Sequence, residues 1–279
     1  MTAPAEWNDT LLSVVVDAGS VIMAAYKGGF EVEYKGARDP VTVADRRANE
    51  LILARLGQLA PDVPVVAEES DPRLYADFER SDQVFFVDPL DGTRDFVARN
   101  GEFVVMIGLL CEHRVTLGVI HSPVQRVSWV GHVGHGAFRV GPDGTWTSLH
   151  VSSVDEVSRA TIVVSRSRQG QPLMRALGRL DVATVRALGS AGLKGVSVAE
   201  GSADAYLAVG AAGQRWDVCA LDALVRAAGG RVTDVEGHDL DYRSESLLND
   251  RGLLVTNGRM HRAIVDRLAS AVGADEYHD

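Results

Sequence analysis

Cysteine is nearly absent from the 279-residue sequence. The two present, Cys111 and Cys219, sit in apolar runs. Two cysteines so placed, with no CxxC pair, offer neither a disulfide framework nor a cysteine zinc site, and the usage fits a reducing cytoplasm. Basic residues are also short: 28 Lys+Arg face 38 Asp+Glu, a formal charge of −10. That balance argues against a nucleic-acid polymer or an anionic membrane as partner. A small anionic substrate stays open wherever metal ions or local basic groups offset the charge. The N-terminus has no basic segment, and Asp17 interrupts the apolar stretch that follows it, so no signal peptide is expected, nor any run able to cross a bilayer. Internal repeats, low-complexity tracts and long linkers are missing too. What remains, 46% hydrophobic and 24% charged, reads as a soluble cytoplasmic protein with a large core, in one broad domain or two joined subdomains.

Residues 84–96 organise the chain. Val84-Phe85-Phe86-Val87 is a short buried-type strand. Pro89 is expected to end its ladder and to hold Asp88 extended. Asp88 and Asp91 then arrive at a strand end and the following turn, where both can face one point. Gly92 permits close backbone approach, and Thr93 adds a hydroxyl beside bare N–H groups. Oxygen-only ligation suits Mg²⁺, and the N–H groups suit a phosphate. An Asp-Pro turn followed by an Asp-Gly turn, closing a strand and nothing more, is the plainer account of the same residues.

Taken in order, Trp7, Leu11, Val14, Ala18, Val21, Ile22 and Ala25 recur at helical spacing, predicting a helix over 6–27. Residues 30–34 alternate as a strand, 35–43 read as a loop, and a second helix runs from Ala44 to Leu59 with Asp45 in its first turn, as a dipole-favoured helix-start acid or as a site residue. Val63–Ala67 is a strand ending at Glu68-Glu69-Ser70, so one of the two acids can turn inward. Residues 71–83 look like a surface excursion. Strands at 103–110, 115–121 and 127–130, continued through 134–139, suggest an antiparallel meander. His132 and His135 are turn decoration rather than a zinc pair, since no further ligands lie near. The turn Gly141-Pro142-Asp143-Gly144 marks a boundary, giving an N-terminal α+β subdomain over 1–145 and a C-terminal α/β subdomain over 146–279. There, strands at 161–165, 184–187, 203–209, 230–235 and 253–256 alternate with helices at 172–180, 192–201, 216–228 and 261–271. Asp217 opens an apolar helix, where capping would also explain it. Cys219 reads as core rather than a nucleophile.

Four acidic stations share one order: Asp39-Pro40-Val41-Thr42-Val43-Ala44-Asp45, Ala67-Glu68-Glu69-Ser70, Asp88-Pro89-Leu90-Asp91-Gly92-Thr93 and Trp216-Asp217. In this the chain resembles the inositol monophosphatase superfamily of Mg²⁺-dependent, lithium-sensitive phosphatases, over nearly its whole length. The resemblance implies a layered αβαβα sandwich, mixed α+β and α/β, often homodimeric. It implies that Glu68, Asp88 and the Leu90 carbonyl hold one Mg²⁺, that Asp88, Asp91 and Asp217 hold a second, and that a third, weaker ion can join them. Asp45 and Thr93 would activate the attacking water, with Glu69 beside them in the catalytic group, and the Gly92 and Thr93 N–H groups would cradle the phosphate. Two cations sharing a carboxylate would also explain how so many acids can cluster.

Arg99-Asn100-Gly101-Glu102-Phe103, Val164-Ser165-Arg166-Ser167, Leu240-Asp241-Tyr242 and Ser246-Leu247-Leu248-Asn249 resemble the CysQ-type 3′(2′),5′-bisphosphate nucleotidases. These remove the 3′-phosphate of adenosine 3′,5′-bisphosphate, a by-product of sulfate activation. Gly189-Ser190-Ala191-Gly192-Leu193-Lys194 resembles that branch's Gly-Ser-x-Leu-Lys stretch with one residue more. It brings Ser190 and Lys194 in as substrate contacts, and Arg168 stands where the branch often has His. Solvated surface charge is the alternative account of Lys194 and Arg168. The rival activities are an inositol-1-phosphate or other sugar-phosphate monoesterase, including fructose-1,6-bisphosphatase and histidinol-phosphatase. A non-catalytic nucleotide-binding protein and a Ca²⁺-stabilised structural protein stand further off, since every expected ligand is present and no EF-hand loop is.

Overall fold

A computed structural model describes residues 7–29, 32–36, 39–75, 78–244 and 246–269. Helix α1 (Trp7–Gly28) precedes a two-stranded ribbon, β1 (Val32–Gly36) and β2 (Asp39–Thr42), and helix α2 (Val43–Leu59). Residues 39–42, expected as loop, pair antiparallel with β1. Only Val41 and Thr42 there have the β-branched character of a strand, so the sequence signal was weak.

A seven-stranded sheet follows: β3 (Val65–Ala67), β4 (Gln83–Asp91), β5 (Val104–Cys111), β6 (Arg114–Ser122), β7 (Val127–His132), β8 (Gly136–Val140) and β9 (Trp146–Leu149), in chain order across the sheet. β3 pairs parallel with β4, and the rest is the expected meander. β9 lies beyond residue 145 and still completes this sheet. The excursion at 71–83 is not all surface, because Tyr75 and Phe78 are buried. A short helix α3 (Thr93–Val97) interrupts between β4 and β5.

The C-terminal half alternates as read: β10 (Thr161–Ser165), α4 (Gln171–Leu180), β11 (Thr184–Leu188), α5 (Ala191–Ala199), β12 (Ala205–Ala208), α6 (Trp216–Ala227), β13 (Arg231–Thr233), β14 (Leu253–Thr256) and α7 (His261–Ala269). Its five strands run β11-β10-β12-β14-β13, parallel through β11, β10 and β12 and antiparallel beyond.

Three apolar clusters stack these elements into layers. In β5, Val105, Ile107 and Leu109 face α1 and α2, whereas Val104 and Met106 face α5 and α6. That is the period-2 alternation of a strand covered on both faces, which is why β5 reads as one unbroken apolar run. The far side of α5 and α6 meets the second sheet through Val163, Tyr206 and Val255. The outer face of that sheet packs on α4 and α7 through Leu177 and Ile264. The result is the expected αβαβα sandwich. Helix α1 corrects one expectation: it is long and apolar enough to cross a membrane by length and composition. Here Leu11, Val14, Val15, Ala18 and Ile22 are buried in the first cluster instead.

α6 lies unusually close to the large sheet. Gly108, Gly118 and Gly131 are cross-strand partners on β5, β6 and β7, a bare lane beneath the helix. A Cβ at Gly108 would come within 2.6 Å of Cys219 Sγ, and one at Gly131 within 2.8 Å of Leu224 N. Cβ atoms here would lift α6 off the sheet. Seated so low, α6 brings its first turn level with the end of β4.

Candidate active site

β4 does not stop at Pro89. Its pairing with β5 resumes at Asp91–Val104 after an irregularity between Asp88 and Asp91. Two residues lie between the aspartates on β4 and only Val105 between their partners on β5, so the proline is accommodated in a bulge instead of ending the ladder. The bulge aims Asp88 and Asp91 into one cleft, and the Asp88 carboxylate accepts from the Leu90 N–H at 2.9 Å. Gly92 follows at φ +96° and caps α3. A Cβ there would lie 2.7 Å from the Glu102 carbonyl oxygen, so a side chain is excluded on two counts.

Asp217 arrives from the first turn of α6, where its carboxylate accepts from the Gln214 N–H at 2.5 Å. One carboxylate oxygen from each of Asp88, Asp91 and Asp217 lies within 4.8 Å of the others. Burial comes first in raising the Asp88 carboxyl well above the ordinary range, and repulsion from Glu68, Asp91 and Asp217 adds to it. Asp217 is pushed up to about 6, by burial first and Asp91 second. An all-oxygen set with buried, mutually repelling charge matches what a hard divalent cation requires, so this cluster can bind a metal ion.

Asp91 is braced from the second half of the chain. Its Oδ2 accepts from Ser190 Oγ at 2.5 Å and from the Gly192 N–H at 2.7 Å. Ser190 is also the N-cap of α5, accepting from the Leu193 N–H at 3.0 Å, and it holds φ at +29°. Lys194 is buried, not solvated: its ammonium donates to the carbonyls of Gly189 at 2.5 Å and Ser190 at 2.7 Å. Burial lowers its pKa to about 8.

Asp45 lies under the cleft. In the capping box of α2, its Oδ2 accepts from the Thr42 N–H at 2.8 Å and the Thr42 hydroxyl at 2.6 Å. The Thr93 hydroxyl lies 3.1 Å from both Asp45 Oδ1 and the Leu90 carbonyl oxygen. Asp45 thus has one oxygen in the capping box and the other on the Thr93 hydroxyl.

A cleft of about 160 Å³ is lined by Glu68, Asp88, Leu90, Asp91, Gly92, Thr93, Arg168, Ser190, Lys194 and Asp217. Of the adjacent acids after β3, Glu68 turns inward. Glu69 does not line the cleft and acts electrostatically on Arg46 and Tyr75. Arg168 is exposed, its guanidinium 3.5 Å from the Ala211 carbonyl oxygen. His132 and His135 are elsewhere, their rings 4.3 Å apart, with His132 Nδ1 3.2 Å from Asn8 Oδ1. Cys219 is buried core.

The sequence reading missed Asp95 and Tyr206, both of which line the cleft. Asp95 carried a signal, as a further acid in the first turn of α3. Tyr206, with Lys194 Nζ 5.1 Å from its ring centroid, sits in a stretch read simply as a strand.

Residues 4–273 match the inositol monophosphatase family. The 3′(2′),5′-bisphosphate nucleotidase CysQ of Salmonella typhimurium is 37% identical over 236 residues, 84% of this chain and 93% of that protein. Inositol monophosphatase 2 of Solanum lycopersicum is 30% identical over 271 residues, covering 94% and 98%. Among solved structures, the extragenic suppressor protein suhB of Bartonella henselae superposes with a TM-score of 0.81 at 26% identity, covering 94% of this chain and 98% of its own.

Proposed function

The chain belongs to the inositol monophosphatase family, and we propose that within it this protein is a Mg²⁺-dependent phosphatase removing the 3′-phosphate of adenosine 3′,5′-bisphosphate to leave AMP. The observation that carries the chemistry is the meeting of Asp88, Asp91 and Asp217 within 4.8 Å in a cleft. The substrate rests on likeness to the nucleotidases, at 37% identity over 84% of the chain, and on an exposed guanidinium, Arg168, at the cleft wall for a second phosphate.

Glu68, Asp88 and the Leu90 carbonyl would hold one Mg²⁺ and Asp88, Asp91 and Asp217 a second. Bound there, the ions would supply charge neutralisation of the phosphate and acidification of a water. The protein's own part is proton handling and placement. Asp45 Oδ1 accepts the Thr93 hydroxyl proton at 3.1 Å, which turns the hydroxyl's lone pairs toward the cleft and the attacking water. The proton leaves that water for Thr93 as the Thr93 proton passes to Asp45, whose raised pKa suits it as acceptor. The new P–O bond forms as the ester bond to the 3′-oxygen breaks, and that oxygen is protonated from solvent. Gly92, the N-cap of α3, and Thr93, its first residue, would offer backbone N–H groups to the phosphate.

A second reading, an inositol-phosphate monoesterase, has the tomato relative behind it at 30% identity. The test is phosphate release with Mg²⁺ from adenosine 3′,5′-bisphosphate, inositol 1-phosphate and fructose 1,6-bisphosphate side by side. A kcat/KM at least about tenfold higher for the nucleotide is the expected result, and preference for a sugar phosphate overturns the substrate assignment.

A further inference from the structure

Two of the branch motifs meet in space. Arg166 Nη2 donates to Glu102 Oε1 at 2.6 Å and Nη1 to Glu102 Oε2 at 2.6 Å, a bidentate pair. Arg166 Nη1 also reaches Asp95 Oδ1 at 2.8 Å. Arg166 directly follows β10, whereas Glu102 and Asp95 lie on the segment between β4 and β5, so the pair ties one half of the cleft to the other. The turn carrying Glu102 is shaped for it. Arg99 at φ +56° and Gly101 at φ +82° reverse the chain, the Glu102 N–H donates to Asn100 Oδ1 at 2.9 Å, and Phe103 is buried beside Phe96 and Tyr26.

Glu102 does one thing more. Its Oε2 accepts from the Gly189 N–H at 2.6 Å. Gly189 opens the turn whose Ser190 hydroxyl and Gly192 N–H hold Asp91 Oδ2. That turn has no slack. A Cβ at Gly189 would overlap the Asp95 carboxylate, and one at Gly192 would lie 2.5 Å from Met106 Sδ. The Glu102 and Asp95 side chains are 27% and 15% exposed and that of Arg166 43%. Partial burial, bidentate geometry and a backbone donor set this network apart from a surface ion pair of little consequence.

The geometry points to Glu102, with Arg166, as a positioning residue: it anchors the Gly189–Gly192 turn and thereby orients Asp91 toward the metal. This rests on the reading of Asp91 as a metal ligand. Neither Glu102 nor Arg166 lines the cleft.

The test is calorimetric Mg²⁺ titration of the whole metal-free protein, with kcat, KM and melting temperature, for the unaltered chain, Glu102→Ala, Glu102→Gln, Arg166→Ala and the Glu102→Ala/Arg166→Ala double variant. Glu102→Ala is expected to weaken Mg²⁺ binding by about tenfold to a hundredfold and to lower kcat, with KM changed far less. Glu102→Gln keeps an acceptor for the Gly189 amide and loses the charge, so its effect should be smaller. The double variant should match Glu102→Ala alone, because both members act through one turn. Mg²⁺ affinity in Glu102→Ala within about twofold of the unaltered protein overturns the proposal, as does a lowered melting temperature with unchanged affinity. Should Glu102→Ala fail to fold, unchanged affinity in Glu102→Gln and Arg166→Ala overturns it equally. An unaltered chain that takes up no Mg²⁺ instead overturns the underlying metal reading, and with it the proposal, before any variant is compared.

Discussion

Lys194 and Arg168 entered together as cations for a substrate phosphate, and their surroundings separate them. Lys194 is 3% exposed and its ammonium spends two donors on the Gly189 and Ser190 carbonyls, so it shapes the turn behind Asp91. Lys194→Ala should therefore lower kcat by about tenfold to a hundredfold on mono- and bisphosphate substrates alike, checked by steady-state kinetics on both. Arg168 stands at the cleft wall, 3.5 Å from one carbonyl oxygen. Arg168→Ala should raise KM for a bisphosphate by about tenfold and leave a monophosphate nearly unchanged. Equal KM effects on both substrates would remove Arg168 from recognition of the second phosphate. The residue types at the acidic stations were legible because each acid followed a strand end or opened a helix. Burial of Lys194 was not legible: nothing in Gly189–Lys194 shows that the turn folds back over its own lysine.

At the level of elements, the site depends on how low α6 sits. Gly108, Gly118 and Gly131 are far apart in sequence and become one lane only through the β5–β6 and β6–β7 registers. Each looked like an ordinary glycine inside an apolar strand, so the strands were readable and the lane was not. A methyl group at Gly118 would overlap the Ala220 carbonyl oxygen. Gly118→Ala should cost about 1–3 kcal/mol by overpacking, read as a lower denaturant midpoint, and should weaken Mg²⁺ binding by displacing Asp217. A stable variant with unchanged Mg²⁺ affinity would show that α6 has room to spare. The bulge in β4 is a similar case. Pro89 announced an interruption, but whether the ladder stopped or resumed depended on Val104 lying opposite Asp91, a long-range fact absent from residues 84–96.

For the molecule as a whole, the layered fold was legible because its strands and helices keep strict periods. Convergence of Asp217 on residues 88–91 came only through the likeness of four motifs to a family, not from spacing. That convergence has a thermodynamic signature. Asp217 is raised from 3.8 to about 6 in the fold without metal, and Asp88 is raised too. A carboxyl that binds its proton more tightly folded than unfolded stabilises the fold below its unfolded pKa, and that stabilisation is lost as pH rises through the folded value. Metal-free protein should therefore melt lower as pH rises from about 4 through 6. Mg²⁺ competes with those protons, so the melting-temperature gain from Mg²⁺ over chelator should be larger at pH 7.5 than at pH 5. An equal gain at both would mean that the ion binds away from these acids. The central claim, that carboxylates from both halves of the chain meet to do the chemistry, is tested most directly by kcat for phosphate release in Asp217→Asn at saturating Mg²⁺. A fall of about a thousandfold with the fold intact by circular dichroism is predicted, and a rate within about twofold of the unaltered enzyme would contradict it.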